Sequence, residues 1–155
     1  YKKIKNKMLD SFVRKEREKN DNETYETSVS GVRKIFKSLL SNNVICLAAD
    51  QVPQAGMGEY VKFFNRDAYT TTLASSLAHK TGKPVIYCSM NSDNNKNLFV
   101  SIKPSNKDIY SNSKRLLSMN NSIENLININ PKDYSWEYKR FKKAKLKNTN
   151  PYLKA

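Results

Sequence analysis

Apolar residues recur at helical spacing in two early stretches of this chain. Ile4, Met8, Leu9, Phe12 and Val13 predict a first helix ending near Lys19 and Asn20, with Lys and Arg filling its other face. Val32, Ile35, Phe36, Leu39 and Leu40 predict a second helix and read as core; Ser28 or Ser30 caps it and Ser41-Asn42-Asn43 stops it. The rhythm then changes. Val44 to Ala49 is a continuous apolar run ending at Asp50-Gln51, which reads as a strand covered on both faces, as in an α/β sheet. Pro53, Gly56 and Gly58 mark a loop, and Tyr60 to Phe64 returns to the core. A third helix is expected over Thr70 to Lys80, with Leu73, Ala74, Leu77 and Ala78 on one face and Gly82 as its stop. Pro84 to Met90 and Leu98 to Lys103 flank the polar cluster from Asn91 to Asn97 and predict an antiparallel hairpin. A helical stretch runs from about Ile109 to Ile129 on Leu116, Leu117, Met119, Ile123, Leu126 and Ile127, until Pro131 breaks it. Tyr134 to Lys147 reads as a last, basic helix carrying Tyr134, Trp136, Tyr138 and Phe141. The sum is an α/β fold, one compact unit over residues 1–147 with a loose tail over 148–155.

Charge narrows the partners more than the class. With 155 residues the chain can bury a core without staples, and 28 Lys+Arg against 14 Asp+Glu leave a formal net charge of +14. Phosphates, anionic lipid surfaces, acidic proteins and nucleic acid all suit that sign. Cys46 and Cys88 lie in apolar runs and are expected to be buried, reduced and inert, which points to a cytoplasm-facing protein. No run of about 18 apolar residues is present to predict a membrane span, and no signal peptide opens the chain. Tyr1 is not a Met and a helical pattern begins almost at once, so the chain reads as cut from something longer.

Asp50 is the best single candidate for function, because sites in α/β sheets lie just outside the carboxyl ends of strands. It either serves chemistry there or caps a turn through its side chain. Other chemistries find little material. Gly56 and Gly58 build neither a phosphate loop nor a dinucleotide fingerprint. His79 has no carboxylate at usable spacing and reads as a surface or helix-end residue; two Cys and one His cannot make a zinc site. Ser75 and Ser76 lack the turn a nucleophile elbow requires. The basic, aromatic last segment leaves three readings open: stacking on single-stranded nucleic acid, lying on an anionic bilayer, or docking with a solvated basic face.

Ala49-Asp50-Gln51, Gly58, Phe63-Phe64, Ala68-x-Thr70-Thr71-Thr72, Leu77-Ala78, Thr81-Gly82 and Pro84-Val85 stand in an order that resembles the lipid A late acyltransferases. These are the Kdo-dependent lauroyl and myristoyl transferases of Gram-negative bacteria. The most specific stretch is Pro131-x-x-Tyr134-x-Trp136-x-x-x-Arg140-Phe141-Lys142, and the likeness runs from Tyr1 to about Lys143, as the C-terminal half of such an enzyme. The resemblance implies a glycerolphosphate-acyltransferase-like sheet flanked by helices, here a partial domain. It implies O-acyl transfer from an acyl carrier protein thioester to a phosphorylated lipid A precursor, at the cytoplasmic face of the inner membrane. It calls for no cofactor or metal, and no nucleic acid is expected as partner. The family's H-x-x-x-x-D/E motif is absent, since Pro84 stands five after His79; by resemblance it lies upstream of Tyr1, and this stretch alone is expected to be inactive. Asp50 matches the acidic residue at the strand end and is expected to support the active site. Lys2, where an Arg after Tyr is usual, and Gln51, Gly58, Thr70 and Arg140 are the substrate-binding residues the resemblance implies. Asn65 and Asp67 replace a common Gly and Pro, and Asn91 and its neighbours lack a basic residue often found after that strand.

Overall fold

The computed structural model describes residues 1, 3–146 and 149–153. Its contacts divide the chain into two units, Tyr1–Cys46 and Leu47–Ala155.

In the first unit, α1 (Lys7–Arg17) starts where the Asn6 side chain accepts from the amides of Met8 and Leu9, satisfying two donors the helix leaves free. Buried Asp10 accepts from the amide of Ile4 at 2.7 Å and so ties the entering chain to the helix. The Ser28 hydroxyl caps α2 (Val29–Leu40), as expected, by accepting from Gly31. The second helix's stripe is core only in part. Ile35 is buried, Val32, Phe36 and Leu39 are half-buried, and Leu40 is exposed. Met8, Leu9 and Phe12 of α1 are exposed as well.

In the second unit β1 (Gly58–Phe63) pairs antiparallel with β2 (Arg66–Thr71) through a two-residue turn. Phe64 and Asn65 both take positive φ, 46° and 59°, the pattern of a type I′ hairpin turn. Asn tolerates this readily and Phe does not, so the edge-on packing of Phe64 against Phe63 helps to hold the turn. The strand β2 replaces the expected helix start: α3 (Leu73–Thr81) begins three residues later than Thr70 and ends at Gly82, whose φ of 63° suits a left-handed cap. The expected hairpin forms as β3 (Ile86–Ser92) and β4 (Leu98–Pro104). A 3-10 turn at Lys107–Tyr110 precedes α4 (Arg115–Ile127), so the predicted helix from Ile109 is shorter than its apolar pattern. The helix α4 is central to this unit and packs on β1, β3, α3 and the 3-10 turn. One cluster gathers Ala78, Ile109, Leu116 and Met119; another gathers Phe63, Ala68 and Ile127.

The protein is α/β, with four helices and two small antiparallel sheets among the described residues. Three expectations need correction. First, residues 44–48 form no strand: Val44 is 93 % exposed and no described strand pairs with this run. An apolar run becomes a strand only where a neighbour takes its backbone hydrogen bonds. Second, Cys46 and Cys88 are free and exposed rather than buried. Cys88 stands on the outer face of the β3–β4 hairpin beside exposed Ile86, Met90, Val100 and Ile102, a face that no described element covers. Third, residues 134–146 are turns and not a helix, after a 3-10 turn at Pro131–Asp133. The boundary expected at Lys147 and Asn148 lies outside the described residues.

Candidate functional site

The path of the C-terminal segment is set by side chains at every second position. Tyr134, Trp136, Tyr138 and Arg140 each anchor it, and local hydrogen bonds such as Arg140 N to Tyr138 O keep the backbone turning. The Tyr134 hydroxyl donates to Asp50 Oδ2 at 3.3 Å. Trp136 donates its indole N–H to Pro131 O at 2.7 Å and packs edge-on against the Tyr134 ring. The Tyr138 hydroxyl accepts from the Val52 amide at 2.7 Å, and Lys143 Nζ donates to Pro53 O at 2.6 Å. The start of the loop after Asp50 is therefore strapped by a segment more than eighty residues downstream in sequence.

Arg140 reaches furthest in. It is 2 % exposed and donates to Tyr69 O at 2.9 Å and to Thr70 Oγ1 at 2.8 Å, with its guanidinium 5.0 Å from the Phe63 ring centre. Burial pulls its pKa below the ordinary arginine value, while Tyr134 and Asp50 favour the charged form. Thr70, fully buried, donates to Ala68 O and accepts from both Arg140 and Asn120. Asn120 of α4 also donates to Lys62 O at 2.8 Å, so the Thr70 hydroxyl joins β2, α4 and the C-terminal segment, and Asn120 ties β1 to them. Burial first, and then the charge of Asp50, push the Tyr134 phenol well above its ordinary pKa, which keeps it a hydrogen-bond donor.

The expected site residues thus fall into two groups. Asp50 and Gln51 sit on the turn before the loop; Asp50 is half-buried and Gln51 exposed. Thr70 and Arg140 are in direct contact in the interior, where they position β2 and the C-terminal segment. Gly58 is required by space: a Cβ there would come within 2.6 Å of both Pro53 Cγ and Thr70 O. Lys2 lies outside the described residues. The sequence reading did not find Tyr69, whose hydroxyl accepts from the amides of Gly56 and Gly58, nor Asn120, nor Glu124, which accepts from the Phe64 amide. The alternation of Tyr134, Trp136, Tyr138 and Arg140 was a usable signal, because its period of two contradicts a helix.

His79 lies exposed in the last turn of α3 with Nδ1 2.6 Å from Tyr110 O, bonded to a backbone carbonyl and to no carboxylate. Among the described residues no group of three or more His, Cys, Asp and Glu could hold a metal ion, and no helix is long and apolar enough to cross a membrane. The geometry offers a half-buried carboxyl group bonded to a phenol at the start of a strapped loop, with the buried Arg140 guanidinium near enough to feel both.

A family model described as bacterial lipid A biosynthesis acyltransferase matches residues 1–143. No curated protein matches the chain.

Proposed function

The chain belongs to the bacterial lipid A biosynthesis acyltransferase family, and from that we propose that it supplies the Asp50 side of a site moving a fatty acyl chain to a lipid A precursor. The acyl donor in this reading is an acyl carrier protein thioester, and the acceptor is a hydroxyl of a phosphorylated precursor. The observation that carries it is the family match over residues 1–143, within which Asp50 is held by Tyr134 of the most family-like stretch.

Attack on a thioester needs a base for the hydroxyl and donors for the oxyanion. These 155 residues contain one histidine, and it has no carboxylate partner among the described residues. In this reading the base is the family's H-x-x-x-x-D/E motif, which these residues lack, and residues 1–147 alone do not turn over. Asp50 orients, and the loop from Gln51 to Gly58 meets the acceptor. Thr70 and Arg140 hold that loop's surroundings in place, and Lys2 keeps the charge expected next to the substrate. In this reading the chain is the C-terminal part of a glycerolphosphate-acyltransferase-like sheet flanked by helices, with 148–155 as a tail. A net charge of +14 favours the anionic cytoplasmic face of an inner membrane, an acidic carrier protein and a phosphorylated acceptor. The nucleic-acid reading has no comparable support: no family match points to it, and the last segment on which it drew forms turns and not a helix.

The test is acyl transfer by the full product of the coding sequence that contains these residues, on a Kdo-bearing lipid A precursor with an acyl carrier protein donor. Mass spectrometry should show the precursor heavier by one acyl chain. A precursor of unchanged mass with an active donor present overturns the reading.

A further inference from the structure

The side of α1 that faces away from buried Asp10 and half-buried Val13 is apolar, and cations edge it. Met8 and Phe12 stand one turn apart there, 83 % and 62 % exposed, with exposed Leu9 beside them. Lys7, Ser11 and Lys15 form the next row round the helix, all exposed, and Lys5 lies just before the cap residue Asn6. We propose that this face lies on the surface of an anionic bilayer, with Met8, Leu9 and Phe12 at the edge of the acyl chains and Lys5, Lys7 and Lys15 on the headgroup phosphates. The inference stands on α1 alone and does not need the acyltransferase reading.

Three features lead there. The first is that the face is already built. Asn6 caps the helix start, Asp10 on the opposite side accepts from the Ile4 amide at 2.7 Å, and Glu18 just past the last turn accepts from the Thr24 hydroxyl at 2.6 Å. A helix held from behind in this way meets a surface without the ordering cost of a segment that must fold on it.

The second feature is where the acids go. Asp10 is turned inward, Glu16 is matched by Lys19 at 2.6 Å, and Glu18 is matched by Arg14 at 2.8 Å. Lys5, Lys7 and Lys15 lie within ion-pair distance of no carboxylate among the described residues, so their counter-charge has to come from outside. The third is the arrangement of the two rows. A lysine lays its stem along apolar surface and keeps its ammonium among polar groups, which suits the boundary between headgroups and acyl chains. The core of a protein–protein interface is instead depleted of charge, and here the lysines run directly beside the apolar row.

The experiment is co-sedimentation of the protein with vesicles of phosphatidylcholine alone and of phosphatidylcholine with phosphatidylglycerol, at low and at physiological salt. The protein should bind the phosphatidylglycerol vesicles at least about ten-fold more tightly than the neutral ones, and salt should weaken that binding. The Met8→Ser, Phe12→Ser double variant should lose about ten-fold or more in affinity at an unchanged melting temperature, because both side chains face solvent. The Lys7→Gln, Lys15→Gln double variant should lose about three-fold or more of the preference for phosphatidylglycerol. In Phe12→Trp, bromine-labelled lipid should quench the emission by more than in the wild-type protein, whose one tryptophan is Trp136. Equal binding to the two vesicle types, or an unchanged preference in the lysine variant, overturns the charge assignment. Affinity of the serine variant within about two-fold of wild type, or no added quenching in Phe12→Trp, overturns the whole proposal. A melting temperature lowered by the serines overturns it as well, since protein would then already cover the face. No acyl donor is present, so failure here leaves the acyl-transfer reading standing, and failure of acyl transfer leaves this result intact.

Discussion

Arg140→Ala should remove the strongest tie between the C-terminal segment and the β1–β2 hairpin. The guanidinium makes two hydrogen bonds, to Tyr69 O and Thr70 Oγ1, and lies against the Phe63 ring. Bonds from a charged donor contribute about 1.5–3 kcal/mol each. The ring contact adds about 0.5–2 kcal/mol. Against this stands the cost of keeping a cation 2 % exposed, several kcal/mol, which the alanine variant escapes. The net expected loss is about 3 kcal/mol, since truncation also leaves a void that the aromatic neighbours fill only in part. Urea unfolding followed by Trp136 fluorescence reads it directly, because Trp136 lies on the same strapped segment. With a slope of about 1.5 kcal/mol per molar, the midpoint should fall by about 2 M. Arg140→Met is the control for volume: it should also lose about 2 kcal/mol, because it supplies no donor to Tyr69 O or Thr70. An Arg140→Met variant as stable as wild type would refute the reasoning and show that desolvation cancels the hydrogen bonds.

Four smaller tests follow from the same geometry. Asn120→Leu removes the donor to Lys62 O and Thr70 and should cost about 1–3 kcal/mol in the same urea assay; no shift would mean the four-element junction does not depend on it. Gly58→Ala should lose about 1–3 kcal/mol, because the new methyl meets Pro53 and the Thr70 carbonyl; an unshifted midpoint would contradict that close approach. Cys46 and Cys88 should both react with a thiol reagent in the native protein without denaturant; slow reaction of either would mean its face is covered in solution. The Asp133 carboxyl is held below its ordinary pKa, first by the Ser92 amide. A depressed folded value stabilises above the unfolded pKa of about 3.9 and the stabilisation is lost as pH falls through the folded one. The Ser92 amide resonance should therefore titrate below about pH 4, and Asp133→Asn should abolish that step.

How much of this was legible depends on what fixes each element. The β3–β4 hairpin was, because strand residues flank a polar loop whose Asp93 folds back on the amides of Asn95 and Asn97. The end of α3 was, because a left-handed cap favours glycine and Gly82 stands there. The strand β2 was not, since Arg66 to Thr71 leads straight into an apolar helical pattern and its turn uses Phe64-Asn65 instead of a glycine pair. The run from Val44 misled because hydrophobicity says what a segment would bury and not whether a ladder partner is present. The last segment misled for the opposite reason: its lysines and aromatics suit a helix locally, and the long-range bonds of Tyr134, Tyr138 and Arg140 override that preference. In the candidate site, Asp50 was singled out from its place after an apolar run, although that run is not a strand. Its partner Tyr134 came into view only as part of the family-like stretch. Tyr69 and Asn120 carry no signal along the chain, because what they join is distant in sequence.

In the proposed function Asp50, held by Tyr134, is what this chain contributes to the acyl-transfer site. The most direct measurement is the initial rate of acyl transfer by the full product of the coding sequence, wild type against Asp50→Asn, with folding checked by the urea midpoint. On this reading the rate should be lower by at least about a hundred-fold in Asp50→Asn at an unchanged midpoint, in the range set for groups that exchange protons at a reacting centre. A rate within two-fold of wild type in the folded variant would contradict it and return Asp50 to the role of a turn cap.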